Sequence, residues 1–247
     1  QELKNNIQKQ VSLCYKKLSM SKKNSNVNLK AKFKKHKELS SIYSFFKEKI
    51  KSLKKKSFLV AVSGGPDSLA LAFLAKIYAI RKGLSAKFFI VDHKLRPEST
   101  KEAKTVSLLL KKKMIKSEIL TWKGKKPIKN IQSEARIKRY ELLFKQCEKF
   151  KIENILLGHH QGDLFENFFI RFLRGSGLKG LISLDKRSKI QNKNILRPLI
   201  DQKKEDLVYI SKKVFNFFVE DPTNLDEKFQ RIRVRKLINE LEKNGLN

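Results

Sequence analysis

Apolar positions along the chain fall into short continuous runs separated by longer stretches of helical spacing. Phe58-Leu59-Val60-Ala61-Val62 is an unbroken apolar run that ends at a Gly-containing loop. It predicts a strand buried on both faces. Residues 69–80 follow with helical periodicity, and Phe88-Phe89-Ile90-Val91 gives a second strand. The same reading predicts a helix over 102–114, a strand over 118–120, a long helix over 130–150, a strand over 154–157 and a helix over 164–173. Ile195-Leu196 adds a short strand, 204–214 a helix and 226–242 a basic helix. Upstream, Ile42, Phe45, Phe46 and Ile50 sit at helical spacing within 39–53, predicting an amphipathic helix that enters the domain. Strands alternating with helices imply an α/β fold, a parallel sheet with helices on both faces.

Residues 1–38 break this pattern. They are polar and rich in Lys, Asn and Ser, and they predict a basic, disordered extension ahead of one catalytic domain at 39–247. The first methionine is Met20, which leaves open whether 1–19 belong to the natural chain. No apolar run approaches the roughly 18 residues of a membrane span, and no secretory signal is visible, so no membrane role is expected. Cys14 and Cys147 are far apart and form no CxxC pair, so no disulfide framework, zinc site or redox motif is supported. A reducing compartment is expected, the cytoplasm or an organelle stroma. Charge changes the picture most. Lys and Arg number 57 against 24 Asp and Glu, a net +33. Coding bias toward Lys, Asn, Ile and Phe accounts for part of this; the remainder favours a polyanionic partner such as nucleic acid.

The chemistry begins at Ser63-Gly64-Gly65-Pro66-Asp67-Ser68, between the first strand and the first helix. Glycines let the backbone turn and approach an anion, and the helix presents free N–H groups at its positive end. Asp67 beside phosphates makes sense if it holds Mg²⁺. The hexapeptide is neither a Walker loop nor a dinucleotide fingerprint. It resembles the SGGxDS motif of the PP-loop ATP pyrophosphatases, Rossmann-like enzymes that cleave ATP to AMP and pyrophosphate. Asp92-His93-Lys94-Leu95-Arg96-Pro97-Glu98-Ser99 resembles the DHxLRxxS block of the tRNA(Ile)-lysidine synthetases within that class. Further blocks of that family are matched in order: Glu134-Ala135-Arg136 with Arg139 and Tyr140; Gly158-His159-His160-Gln161-Gly162-Asp163 with Glu166 and Asn167; Arg174-Gly175-Ser176-Gly177; Arg197-Pro198-Leu199; and Glu220-Asp221-Pro222-Thr223-Asn224 with Arg231, Arg233 and Arg235. The matches run from about residue 57 to 238. Three departures stand out, Gly162 for a common Asp, Asn167 for Thr and Ile232 for Asn.

The resemblance implies ligation of L-lysine to C2 of the wobble cytidine of tRNA(Ile) with a CAU anticodon, using ATP and Mg²⁺. It implies ATP binding by Ser63, Gly64, Gly65, Pro66, Asp67, Ser68, Asp92 and His93, with Asp67 as the metal ligand. Asp67, Arg136, His160 and Asp163 are the expected catalytic residues, Asp163 and Glu166 the lysine site, and Arg174, Arg231, Arg233 and Arg235 the tRNA contacts. The arginines at alternate positions, 231, 233 and 235, are not expected to share one helical face. The general base is left open between Asp163 and His160, and a homodimer is left open as well. The C-terminal extension with which many family members grip tRNA has no counterpart here, which leaves a minimal form or an incomplete chain. The competing readings are another PP-loop tRNA modifier of thiolase type, which needs a sulfur-carrying cysteine, and a non-catalytic basic RNA-binding protein.

Overall fold

The computed structural model describes residues 37–53, 57–124, 127, 129–181, 185–219 and 226–245. The chain divides into two units, 1–41 and 42–247. Of the first, only 37–41 are described, as the opening of a helix; the expected extension 1–38 otherwise lies outside the described residues.

That helix, α1 (Lys37–Ile50), buries Ile42, Phe46 and Ile50 as the spacing predicts, while Phe45 is exposed and Tyr43 takes a buried place. A 3₁₀ turn (Lys51–Leu53) follows. The alternating units are β1 (Phe58–Val62), α2 (Pro66–Lys82), β2 (Ala86–Asp92), α3 (Ser99–Lys112), β3 (Ser117–Thr121), α4 (Ile131–Lys149), β4 (Asn154–Leu156) and α5 (Gln161–Phe172). A short helix α6 (Leu178–Leu181), a hairpin of β5 (Arg187–Ile190) and β6 (Lys193–Leu196), α7 (Lys204–Phe215) and α8 (Gln230–Lys243) complete the described elements.

Among the described residues the strands form a six-stranded sheet in the order β3-β2-β1-β4-β6-β5. All neighbouring pairs are parallel except β5–β6, which is antiparallel. The expected α/β fold is therefore present, with an antiparallel edge added to the parallel sheet. Alternate side chains divide the sheet into two faces. On one, Leu59, Phe89, Ile155 and Ile195 pack with Leu143, Phe144 and Cys147 of α4. On the other, α2 and α3 cover β1 and β2, burying Phe58, Val60, Val62, Phe88 and Ile90 against Leu69, Phe73 and Val106. The chain moves outward from β1 through β2 to β3, then crosses back to β4 on the far side of β1. That reversal opens a crevice beyond the carboxyl ends of β1 and β4, where open α/β sheets bind ligands.

Candidate active site

Two loops meet at this crevice, one following β1 and one following β4. In the first, Ser68 lies on the opening turn of α2 and is buried. Its hydroxyl accepts the N–H groups of Ser63 (3.1 Å) and Gly64 (3.0 Å) and donates to the Gly65 carbonyl (3.0 Å). The loop is thus wound around one side chain, and Ser68 shapes the phosphate cradle. Gly64 has φ +97°, and a Cβ there would meet Val106 Cγ2 at 2.6 Å and Val219 Cγ2 at 3.0 Å. Only glycine fits both the dihedral and the space. Gly65 and Pro66 begin α2, leaving the first-turn N–H groups at the crevice. Ser211 of α7 donates to the Pro66 carbonyl (2.7 Å) and Val219 N–H to the Gly64 carbonyl (3.0 Å). Neither anchor carries a motif, and sequence reasoning missed both.

Asp67 projects from that first turn. Its Oδ1 is buried with no hydrogen-bond partner among the described residues. Burial raises its pKa above the usual carboxylate value, an effect that His160 opposes and Asp163 reinforces. A buried, unpartnered carboxylate oxygen beside a phosphate-type loop fits a divalent cation shared with phosphate.

The second loop ends at His160, the N-cap of α5. Its Nδ1 accepts the Gly162 N–H (3.0 Å), while its own N–H donates to Asp163 Oδ2 (3.0 Å), a reciprocal capping box. With Nδ1 an acceptor, the ring's proton sits on Nε2. Nε2 faces Asp67 Oδ2 at 3.8 Å and Asp163 Oδ2 at 3.7 Å, contacts too long for hydrogen bonds. Gly162, the departure from the family pattern, has a local reason, since a Cβ there would stand 2.8 Å from His160 Cε1.

Asp163 and Glu166 share a face of α5 as expected, but α8 supplies them with partners. Arg231 bonds Asp163 through Nη2 and Glu166 through Nε, and Arg235 Nε bonds Glu166 Oε1 at 2.7 Å. Glu166 is only 3% exposed. Burial pulls the Asp163 pKa upward, yet His160, Arg231, His159 and the His160 amide outweigh it, and it lies below the ordinary value. Arg231 and Arg235, one helical turn apart, share a face and Arg233 lies off it, so the three arginines do not lie on one face. Arg233 donates to the carbonyls of Glu227 (2.6 Å) and Lys228 (3.1 Å), and Arg174 to Gln230 Oε1 (2.7 Å). Ile232, the third departure, is buried with Val234 and Ile238 on the inner side of α8. The block 220–224 lies outside the described residues.

Asp92 ends β2, and its oxygens take the Lys94 N–H (3.0 Å), Ser99 Oγ (2.8 Å) and Thr100 Oγ1 (2.7 Å). Both oxygens thereby order the loop that leads into α3. His93 and His159 are neutral, each held at a pKa of about 4 chiefly by burial. Arg136 reaches the Tyr140 hydroxyl at 3.4 Å with its guanidinium 5.3 Å from that ring's centroid, as their spacing predicts. Lys204 lies close enough to Asp67 to lower its pKa, a neighbour that no motif announced. Cys147 is buried in the core, where burial pushes its thiol up to about 11.

Comparison with known proteins adds the family. The PP-loop domain family matches residues 35–241. A tRNA(Ile)-lysidine synthase of Orientia tsutsugamushi is 40% identical over 179 residues, covering 72% of this chain and 40% of the relative. One from Rhodopseudomonas palustris is 36% identical over 191 residues, covering 76% and 55%. The chain thus spans about half the length of these curated relatives. Among solved structures, the U34-tRNA thiolase NcsA from Methanococcus maripaludis, with its [4Fe-4S] cluster, superposes with a TM-score of 0.73 at 19% identity. That likeness covers 85% of this chain and 75% of the thiolase and concerns the fold.

Proposed function

Because the chain belongs to the PP-loop domain family, we propose that it works as its lysidine synthase relatives are named, ligating L-lysine to C2 of the wobble cytidine of tRNA(Ile) with a CAU anticodon. The observation that carries this reading is the juxtaposition at the β1/β4 crevice. A phosphate loop with the unpartnered Asp67 oxygen faces, across His160, a buried carboxylate cluster suited to an amine. ATP would lie with its phosphates on the loop of Ser63, Gly64, Gly65 and Ser68 and on the α2 N-terminus. Asp67 would hold Mg²⁺, which would neutralise charge on the departing pyrophosphate. The cytidine O2 attacks the α-phosphorus, pyrophosphate leaves, and the base is joined to AMP through O2. The lysine ε-amine then adds at C2, AMP leaves with the O2 oxygen, and the amine gives up its proton.

Of the two proton acceptors considered, Asp163 is favoured. His160 Nδ1 already accepts the Gly162 N–H and the ring's proton sits on Nε2, so neither ring nitrogen is free to take a proton, and His160 acts by capping α5 and by its amide bond to Asp163. Asp163 and Glu166 form the proposed lysine site. The lysine ε-ammonium competes with Arg231 for Asp163, to which it gives its proton, and Glu166 acts mainly by holding Arg231 and Arg235. Arg136 would meet the phosphates or the activated base. Arg174 and Arg233, on the exposed side, would meet tRNA phosphates, backed by the +33 net charge. The thiolase reading loses ground at Cys147, whose buried, protonated thiol is the opposite of a reactive cysteine.

The test is AMP and pyrophosphate formation with the CAU-anticodon tRNA, with and without L-lysine, together with the mass of the tRNA product. Lysine-dependent AMP release and a product heavier by one lysyl group are expected, with tRNA affinity falling linearly on a log–log salt plot. AMP formation whose tRNA product gains sulfur in place of lysine would overturn the reading.

A further inference from the structure

Away from the crevice, a trough lies between the end of α1 and the antiparallel edge of the sheet. Its floor is the face of β4, β6 and β5 opposite α4. Ile155 and Ile195 face α4, so Asn154, Asn194 and Leu196 face the other way, with Lys189 and Arg187 as the β5 partners of Asn194 and Leu196. Ser52 and Leu53 of the 3₁₀ turn form the opposite wall, and the cavity so enclosed measures about 370 Å³. Leu53, Leu196 and Asn154 are buried, while Arg187 and Lys189 are exposed. Arg187 Nη2 donates to Ser52 Oγ (2.5 Å) and so ties the two walls together. Asn194 Nδ2 donates to Asn154 Oδ1 (3.0 Å), and the amide pair keeps a further donor and a further acceptor. The reaction above gives none of these residues a part.

From Arg187 and Leu196 the trough continues past Lys49 and Lys186 to Arg197 and Pro198, at the carboxyl end of β6. Leu157 N–H donates to the Leu196 carbonyl (2.9 Å), so the loop that carries His160 leaves β4 beside it. Among the described residues Glu48 is the one acidic side chain on the lining, and Lys51 holds it (2.6 Å). A small cavity with an apolar floor and an amide pair suits a heterocyclic base. The rim suits phosphate, since Arg187 and Lys189 stand about 7 Å apart along one strand face, a spacing comparable to that of successive phosphates in a nucleic acid strand. A basic trough that runs on toward the crevice suits a chain of nucleotides better than a single free one. We propose that it holds an unpaired nucleotide of the RNA other than the reacting cytidine, its base over Leu53, Leu196 and the Asn154–Asn194 pair and its flanking phosphates on Arg187 and Lys189. This rests on the reading that the chain acts on tRNA.

The unaltered protein is acetylated, and Lys189 is followed by peptide mass, alone and with the CAU-anticodon tRNA, AMP, cytidine monophosphate or inorganic phosphate. Protection by the tRNA and by none of the small molecules is expected. Equal protection by AMP or cytidine monophosphate would make this a free-nucleotide site, and equal protection by phosphate a mere anion site; either overturns the proposal. A tRNA that binds and gains lysine while Lys189 stays unprotected defeats this proposal and leaves the proposed function standing; a tRNA that does not bind defeats both. Lys189→Gln, at an exposed position, should melt normally and keep its ATP and lysine requirements. Its affinity for tRNA should fall about threefold less than that of the unaltered protein between about 50 and 200 mM salt, the share of one phosphate contact, and an unchanged salt slope would refute that contact. The base is tested by removing each unpaired base of the tRNA in turn. One position other than the reacting cytidine should weaken binding, and its penalty should shrink in Asn194→Ala, because base and side chain are coupled. No such position, or an equal penalty in both proteins, would refute the base's place in the trough.

Discussion

Replacing Glu166 by Gln removes one negative charge from beneath two arginines. Glu166 is 3% exposed, and its oxygens bond Arg231 and Arg235. Breaking a fully buried pair from one side costs about 3–5 kcal/mol, because the other charge is left uncompensated. Here the arginine side chains are 45% and 31% exposed, so water offsets part of that loss. Arg231 also retains Asp163. The expected loss is therefore about 2–3 kcal/mol, less than the buried-pair value but well above a surface pair. For a domain of this size it corresponds to a melting temperature lower by about 4–12 °C. The assay is thermal melting of Glu166→Gln, Arg235→Met and the double variant. The double variant should be more stable than the sum of the single losses predicts, since the second removal takes away the charge that the first left unpaired. With tRNA and ATP saturating, the lysine requirement of Glu166→Gln should rise about tenfold or more while the ATP requirement stays put. Unchanged melting would mean that the cluster does not hold α8 to α5. A defect confined to ATP would mean that these carboxylates serve the metal instead of lysine.

Asp67→Ala should abolish pyrophosphate release while melting normally or higher, since it removes a buried carboxylate whose Oδ1 has no partner; retained turnover at ordinary Mg²⁺ would sink its role. Gly162→Ala should leave stability near neutral, a helix-propensity gain of up to about 1 kcal/mol offsetting the strained cap. Turnover should nonetheless drop, because the new Cβ displaces His160; full activity would show that the ring's place does not matter. His159 has a folded pKa of about 4 against an ordinary 6.5, so below pH 6.5 the unfolded state takes up its proton first. Stability should therefore fall between pH 6.5 and about 4 by at most about 3 kcal/mol, and in His159→Gln this part of the pH dependence, read by urea unfolding, should disappear.

Elements that are decided locally were legible in the sequence, and those decided by pairing were not. The runs at β1, β2 and β4 are buried on both faces, so each announces itself. β5 reads Arg187-Ser188-Lys189-Ile190, with no apolar alternation, and it exists because β6 pairs with it through a turn at Gln191 and Asn192 (φ 45° and 61°). Charges on such an edge also discourage further strands from adding. The start of α5 falls at Gln161, three residues before the expected 164, because His160 and Asp163 close a capping box, and histidine is not a usual N-cap. The phosphate loop was readable as one hexapeptide. The bond from Arg231 to Glu166 spans 65 positions. Separate motifs suggested that one residue binds tRNA and the other binds lysine, with nothing local to say that they meet.

That meeting bears on how one crevice would keep a phosphate half and an amine half apart. Two carboxylates flank the His160 imidazole, and their surroundings push their pKa values in opposite directions. Asp163, beside Arg231, stays ionised below the ordinary range, ready for an ammonium group. Asp67, desolvated and facing Asp163, holds a proton more readily than a free carboxylate until a cation reaches its open oxygen. Such a divergence between neighbouring acids assigns them different work. It depends on His160 remaining in its cap, since rotation of the ring would place Asp67 and Asp163 against each other with no dipole between them. The Gly162 position would thus serve both ends of the reaction, although its own side chain reaches neither.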